Sequence, residues 1–98
     1  MAYEVVLTEE AEKDINDAVL WYEEQQTNLG IRLYFEVIEN LDKIKIDPEH
    51  YSFLEENYRQ LIVQHFPYKI VFKIFPDKIV VLAVFHTSRN PAELFKRL

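Results

Sequence analysis

The architecture is set by the stretch YRQLIVQHFPYKIVFKIFPDKIVVLAVFH, which occupies residues 58–86. Its first segment alternates loosely, and its second places Ile70, Phe72 and Ile74 on one face. Its third segment is apolar on both faces, which is typical of a central strand covered on both sides. Pro67 and Pro76 separate the segments, at positions where a turn needs no ladder donor. The pattern predicts a three-stranded antiparallel meander. Its strands are placed at 58–66, 68–75 and 78–85.

Two helices are predicted upstream, because apolar residues recur there at helical spacing. The first spans residues 9–26, with Thr8 as its N-cap and three glutamates in its first turn. The second starts at residue 31 or 32 and ends at Asp47-Pro48. The apolar positions are Ala11, Ile15, Ala18 or Val19 and Tyr22 in the first helix and Tyr34, Val37, Ile38, Leu41 and Ile44 in the second. Trp21, Tyr22 and Tyr34 are interpreted as packing residues of these helices.

The remaining segments complete a single α+β domain over residues 1–98. Gly30, the only glycine, is predicted to serve the turn that joins the helices. Residues 3–7 are predicted to form a strand, 49–57 a loop and 92–98 a short helical turn. The order is β-α-α-β-β-β, with the N-terminal strand at an edge of the sheet and the α-helical hairpin packed on one face of the meander.

Composition and charge exclude several classes of function. The chain has no cysteine, which excludes disulfides, thiol catalysis and a cysteine-built zinc site. No apolar run approaches the roughly 20 residues of a membrane helix, and no signal peptide is recognisable, so we expect a soluble, cytoplasmic protein. Residues 1–49 carry 13 acidic and 4 basic side chains, whereas residues 50–98 carry 4 acidic and 7 basic ones. The acidic first half argues against wholesale nucleic-acid binding, while the second half could hold one anion or the acidic face of a partner.

Arg59, His86 and Arg89 are the residues that could carry chemistry. Arginine clamps phosphate and histidine transfers protons near neutral pH, so together they could cleave a phosphodiester without a metal. His86 could equally be a hydrogen-bonded strand end, and Arg59 could pair with an acid of the hairpin. The spacing of the three histidines fits no familiar metal site, and no motif indicates a cofactor.

The chain resembles the RelE/ParE superfamily of bacterial toxins. The resemblance rests on the order of elements, on Arg59, on FPYKI at 66–70 and on HTSRNP at 86–91. AEKDI at 11–15, followed by Trp21-Tyr22, is also similar to that family's first helix. The resemblance implies the toxin of a type II toxin–antitoxin pair, of the kind called plasmid stabilisation proteins, which a cognate antitoxin neutralises.

Two branches of this superfamily imply two activities. RelE-like members are ribosome-dependent endoribonucleases that cut messenger RNA without a metal, and in them the matches of Arg59, His86 and Arg89 would be catalytic. ParE-like members poison DNA gyrase by binding and lack that catalytic set. This chain has Phe95 where nucleases usually place a tyrosine near the C-terminus, it is acidic overall, and its 49–57 segment has no lysine. These departures favour the gyrase branch, with a RelE-like nuclease and a non-toxic relative that only binds its partner as alternatives.

Overall fold

The computed structural model describes residues 3–55, 57–90 and 92–97 of the chain, apart from the side chain of Phe95. The elements are β1 (Glu4–Leu7), α1 (Glu9–Gln25), α2 (Leu29–Ile46), a 3-10 turn (Pro48–His50), β2 (Phe53–Glu55), β3 (Tyr58–Ile62), β4 (Tyr68–Ile74), β5 (Lys78–His86) and α3 (Ala92–Phe95). They form one five-stranded sheet in the order β1-β5-β4-β3-β2, in which β1 pairs parallel with β5 and the other pairs are antiparallel. The predicted α+β class, edge strand, hairpin and meander are confirmed.

The predicted loop at 49–57 is wrong in part, because it contains the 3-10 turn and the short strand β2. Phe53 pairs with Arg59 of β3, so β2 forms the second edge of the sheet. A three-residue strand is too short to show a period of two. Pairing with β3 stabilises its extended conformation, and the local sequence does not indicate this pairing.

Helix α1 agrees with its predicted sequence signals. The Thr8 hydroxyl accepts a hydrogen bond from the Ala11 N–H at 3.1 Å, which confirms the predicted N-cap. Ala11, Ile15 and Ala18 are buried, and Tyr22 is partly buried against the same core. This stripe packs on β5, which it contacts more than it contacts any other strand. The hairpin therefore covers one face of the sheet.

Helix α2 departs from its prediction in the position of its buried stripe. It starts at Leu29, and its buried apolar residues are Leu33, Val37, Leu41 and Ile44. Tyr34 and Ile38, predicted to belong to this stripe, are 45% and 36% exposed. The helix carries two apolar faces, and periodicity alone could not tell which one meets the core.

Gly30 lies inside α2 and not in the turn, so its predicted role is wrong. The residue with positive φ is Asn28, at 72°, and Gly30 is needed for close packing of the helices. A β-carbon at Gly30 would lie 2.2 Å from the carbonyl oxygen of Val19 on α1. The Glu23 carboxylate caps α2 from across the hairpin, because it accepts the N–H groups of Asn28 at 2.7 Å and Gly30 at 2.9 Å.

Substitution of Gly30 should therefore destabilise the protein, whereas substitution of Asn28 by glycine should not. Gly30→Ala should lower the free energy of unfolding by about 1–3 kcal/mol, because the added methyl group forces the helices apart. Asn28→Gly should change it by less than about 0.5 kcal/mol, because glycine accepts a positive φ and the Asn28 side chain makes no capping bond. Urea denaturation of the two variants measures both values. Equal tolerance of both changes would contradict the close-packing role of Gly30.

A bulge in β5 determines which way His86 points. Ala83 pairs with Val71 and Val81 pairs with Phe72, so Leu82 is an extra residue in the ladder. Before the bulge, Val81 faces the hairpin. After it, Val84 faces the hairpin, and Ala83 packs with the residues of the opposite face. His86 lies opposite Tyr68, whose side chain packs on the hairpin side, so the bulge brings His86 to the face covered by α1.

The carboxylate of Asp14 closes the outer edge of β5. Pairing with β1 ends at Val81, and beyond that point the N–H of Val84 donates to Asp14 Oδ2 at 3.0 Å. The Arg97 guanidinium then binds both carboxylate oxygens, at 2.7 and 2.9 Å, and also donates to the Leu82 carbonyl at 3.1 Å. Its hydrogen bond to Asp14 is the main cause that raises the pKa of Arg97 above its ordinary value. One side chain thus joins α1, β5 and the C-terminal segment.

Removing this carboxylate should cost more than removing an exposed one from the same helix. The side chains of Asp14 and Arg97 are 10% and 12% exposed, so Asp14→Ala should lower the free energy of unfolding by about 2–4 kcal/mol. Asp17→Ala is the matched control, because its pair with Lys13 is exposed and should leave stability almost unchanged. Thermal and urea denaturation measure the difference. Equal effects of the two substitutions would show that Asp14 does not hold the edge.

Candidate functional site

An open cleft of about 250 Å³ lies between α1 and the end of β5, and it contains two of the predicted residues, His86 and Arg89. Helix α1 supplies one wall and the strand ends supply the other. The lining residues are Asp14, Asp17, Ala18, Trp21, Tyr68, Val84, His86 and Arg89. The cleft begins where β1 ends, so the short length of β1 leaves this edge of the sheet open.

Aromatic side chains form the floor of the cleft. Trp21 packs edge-on against Tyr22 with ring centroids 4.9 Å apart, and Tyr68 packs edge-on against His86 at 5.3 Å. Tyr22 and Tyr68 connect the two pairs at 6.1 Å. These four residues line an adjoining hollow of about 230 Å³, and all of them except Tyr22 line the cleft itself. Trp21 is 54% exposed, so only part of its side chain packs against the helices as predicted.

Local contacts determine the tautomer of His86. The backbone N–H of Ser88 donates to His86 Nδ1 at 3.1 Å, and the Ser88 hydroxyl lies 2.7 Å from the same nitrogen. Because Nδ1 accepts, the neutral ring carries its proton on Nε2. The predicted hydrogen-bonded strand end is therefore present, and the ring offers the cleft an N–H donor.

Arg89 reaches the same cleft with its charge already paired. Its guanidinium contacts the Glu93 carboxylate and stacks on the ring of Phe85 at 4.3 Å. Arg97 lies over the same ring at 4.6 Å. The sequence also predicts that Pro91 holds Arg89 in place, and Pro91 lies outside the described residues.

Arg59 lies in a different cleft, on the same face of the sheet but two strands from β5. Its Nη1 donates to the backbone carbonyls of Glu49 at 3.1 Å and Tyr51 at 2.7 Å, and its guanidinium stacks on Phe53 at 3.9 Å. These partners are carbonyls of the 3-10 segment, in place of the hairpin acid that was predicted. Arg59 holds that segment against the sheet, whereas His86 and Arg89 share the cleft beside α1.

Sequence reasoning missed the residues that α1 contributes to the cleft. Asp14, Asp17 and Trp21 recur at three- and four-residue spacing, which identifies a helix face but not its neighbour. Tyr68 stands in the FPY segment, and its place beside His86 depends on the register of β4 and β5.

In the part of the chain that the structure describes, no three side chains of His, Cys, Asp or Glu are grouped so as to hold a metal ion. No helix there combines the length and the apolar character that crossing a membrane requires.

Comparison with known proteins identifies the family. The family model described as the ParE toxin of the type II toxin–antitoxin system parDE matches residues 5–91. The chain belongs to the ParE toxin family. Its predicted membership of the RelE/ParE superfamily is therefore confirmed. A sequence search among curated proteins finds no match.

Solved structures share the ParE fold of this chain at low sequence identity. A chain of the chromosomal ParDE system from P. aeruginosa matches with a TM-score of 0.78 and 12% identity, over 87% of this chain and 96% of that one. A YoeB dimer from Staphylococcus aureus matches at 0.59 and 12% identity, over 86% and 95%. A mutant of the E. coli toxin RelE in the free state matches at 0.59 and 14% identity, over 99% and 94%. At these identities the likeness shows a common fold.

The dependence of stability on pH tests the burial of Tyr68, one of the residues that line the cleft. Burial, with a smaller effect of Tyr22, raises the pKa of Tyr68 above its ordinary 10.0. The folded protein thus holds this proton more tightly than the unfolded chain, so the stabilisation is complete below about pH 10 and is lost as pH rises through the folded-state pKa. Tyr68→Phe should therefore lose less of its free energy of unfolding between pH 9 and pH 11 (roughly the range around an ordinary tyrosine pKa) than the parent chain.

Urea denaturation at several alkaline pH values measures this loss. Burial also raises the pKa of Tyr51, with Asp47 adding to it, so the slope should decrease in the Tyr68→Phe variant without vanishing. An unchanged slope would contradict the burial of the Tyr68 hydroxyl.

Proposed function

We propose that this ParE-family chain inhibits DNA gyrase by binding to it and that a cognate antitoxin protein neutralises it. The observation that carries the proposal is the separation of the three candidate catalytic residues. Arg59 lies in one cleft, and His86 and Arg89 lie in another. Metal-free cleavage of RNA needs phosphate-binding charge and proton transfer at one phosphodiester, which this arrangement does not favour.

The charge of the cleft supports the same proposal. Two carboxylates, Asp14 and Asp17, line it beside Arg89, and Arg89 is paired with Glu93. A site that attracts an RNA backbone needs an excess of positive charge. The balance of charge here suits the polar and aromatic surface of a protein better.

An antitoxin partner is supported by the family match and by the surface. Two neighbouring large apolar side chains of α1, Leu20 and Trp21, are 62% and 54% exposed, and Trp21 lines the cleft. Exposed apolar surface beside a cleft is suited to a protein partner. A solved relative of the same fold is itself a ParDE toxin–antitoxin system.

A RelE-like, ribosome-dependent endoribonuclease is the second candidate. The observation that favours it is the meeting of Tyr68, His86 and Arg89 in one cleft, with the Nε2 proton of His86 available to a ligand. Tyr68 would take the place of the tyrosine that nucleases usually carry near the C-terminus. A non-toxic relative that only binds its partner is the third outcome of the tests below.

His86→Ala separates the first two functions. If the chain acts by binding gyrase, the variant should inhibit supercoiling of plasmid DNA within about threefold of the parent chain, because no proton transfer is involved. If the chain is a nuclease that uses His86, cleavage of messenger RNA on ribosomes should fall by about 100-fold or more. Both reactions are measured with the same purified proteins, after circular dichroism has shown that the variant is folded.

The parent chain is the first control for these assays. Unchanged gyrase supercoiling and DNA cleavage over a wide concentration range would reject the gyrase proposal, and intact messenger RNA would reject the nuclease. Arg59→Ala is a poor probe of catalysis, because loss of its bonds to Glu49 and Tyr51 perturbs the fold as well. In cells without antitoxin, failure of thymidine incorporation before methionine incorporation would support gyrase as the target. Unimpaired growth would indicate a non-toxic relative.

A further inference from the structure

Helix α2 carries a second apolar face that stays exposed in the part of the chain that the structure describes. Ile31, Tyr34, Phe35 and Ile38 are 48%, 45%, 64% and 36% exposed, and they are named here the α2 stripe. Their spacing of three, four and seven residues places them on one side of the helix. The buried residues Leu33, Val37, Leu41 and Ile44 occupy a different side, toward α1 and the sheet. The α2 stripe therefore faces solvent along two turns of the helix.

Two opposite charges flank the α2 stripe. Arg32 and Glu39 are both exposed, and neither belongs to an ion pair among the described residues. They are seven residues apart, which is close to two full turns, so they lie on the same flank about 10 Å apart along the axis. A positive charge thus precedes the stripe's centre and a negative charge follows it.

A two-fold axis converts this arrangement into a complementary one. Consider two copies of α2 that pack face to face through their α2 stripes. A two-fold axis that lies in the plane between them and runs perpendicular to the helix makes the two copies antiparallel. The same axis places each flank of one helix opposite the same flank of the other. When it passes between Phe35 and Glu36, Arg32 of each copy faces Glu39 of the other. The same operation places Phe35 next to its own copy at the centre, with Ile38 opposite the turn that begins at Ile31. Two ion pairs then border an apolar contact, as in other isologous interfaces.

We propose that the α2 stripe is the interface for a second copy of this chain, packed antiparallel about a two-fold axis near Phe35. A different protein could cover an apolar helix face, but it would not require charges that are complementary to themselves under a two-fold rotation. The ends of the hairpin add to this match, because α2 has Lys43 and Lys45 in its last turn, and Glu24 lies near the hairpin tip that this turn would approach. The inference concerns assembly and does not depend on the cellular target.

A charge-swap experiment tests the proposal directly. Arg32→Glu makes a chain whose two flanking charges are both negative, and Glu39→Arg makes one whose charges are both positive. Each variant alone should dimerise at least about tenfold more weakly than the parent chain, because two attractive pairs become two repulsive ones. Mixed in equal amounts, the two variants should form a heterodimer with about the parent's affinity. Analytical ultracentrifugation over a concentration series measures all four samples.

Further variants make the result independent of folding. Asp77→Arg, in the exposed turn between β4 and β5, is the control for a change of charge and should leave the dimerisation constant unchanged. Phe35→Ala should weaken dimerisation by about tenfold or more without loss of helix content, because Phe35 is 64% exposed in the single chain. The single swaps and the mixture should also depend on salt in opposite directions.

Three results would overturn the proposal. The first is a parent chain that stays monomeric at all concentrations tested. The second is a dimer that neither charge swap weakens. The third is a mixture that associates no better than its components. A monomeric chain whose α2 stripe is protected only in complex with an antitoxin would assign the face to that partner instead. None of these results would bear on gyrase inhibition, which the supercoiling assay measures separately.

Discussion

The carboxylate of Asp14 is the contact on which the arrangement of the site depends. It accepts the N–H of Val84, which lies beyond the last residue of β5 that pairs with β1, and it binds the Arg97 guanidinium through both oxygens. A free sheet edge is a liability because its donors and acceptors need partners. Here a helix side chain and a C-terminal arginine take that role, so the edge needs no further strand. The cleft beside α1 exists because β1 ends at Leu7 and the Asp14 carboxylate, in place of a strand, accepts the next N–H group at this edge of β5.

The bulge at Leu82 acts together with that edge. It shifts the alternation of β5 so that Val84 and His86 face the hairpin, whereas Phe85 faces α3 and the two arginines stacked on its ring. The result is a cleft with an aromatic floor, two carboxylates and one paired arginine. Such a surface is suited to recognising a protein group by shape and stacking. It lacks the concentrated positive charge that a phosphate backbone would require.

One face of the α-helical hairpin packs inside the domain, and the other is exposed. Gly30 lets α1 and α2 approach closely, and the Glu23 carboxylate fixes the start of α2, so the orientation of the helix is tightly determined. Once the buried stripe is in place, the α2 stripe must point outward. Its exposure is therefore a consequence of the packing that stabilises the domain. The charge of the chain follows the same division, with most acidic side chains in the half that contains the helices.

The sequence alone determined the fold class, the element order, the Thr8 cap and the buried face of α1, because these depend on local period and on capping chemistry. It also identified His86 and Arg89 as neighbours, since they are close in the chain. Only the tertiary structure could place Arg59 in a separate cleft, pair β2 with β3, bring Tyr68 and Asp14 to His86, and show that Gly30 serves helix contact. Each of these depends on register, a bulge or the distance between two elements. Such relations are set by packing between distant residues, and a local pattern of residue types carries no record of them.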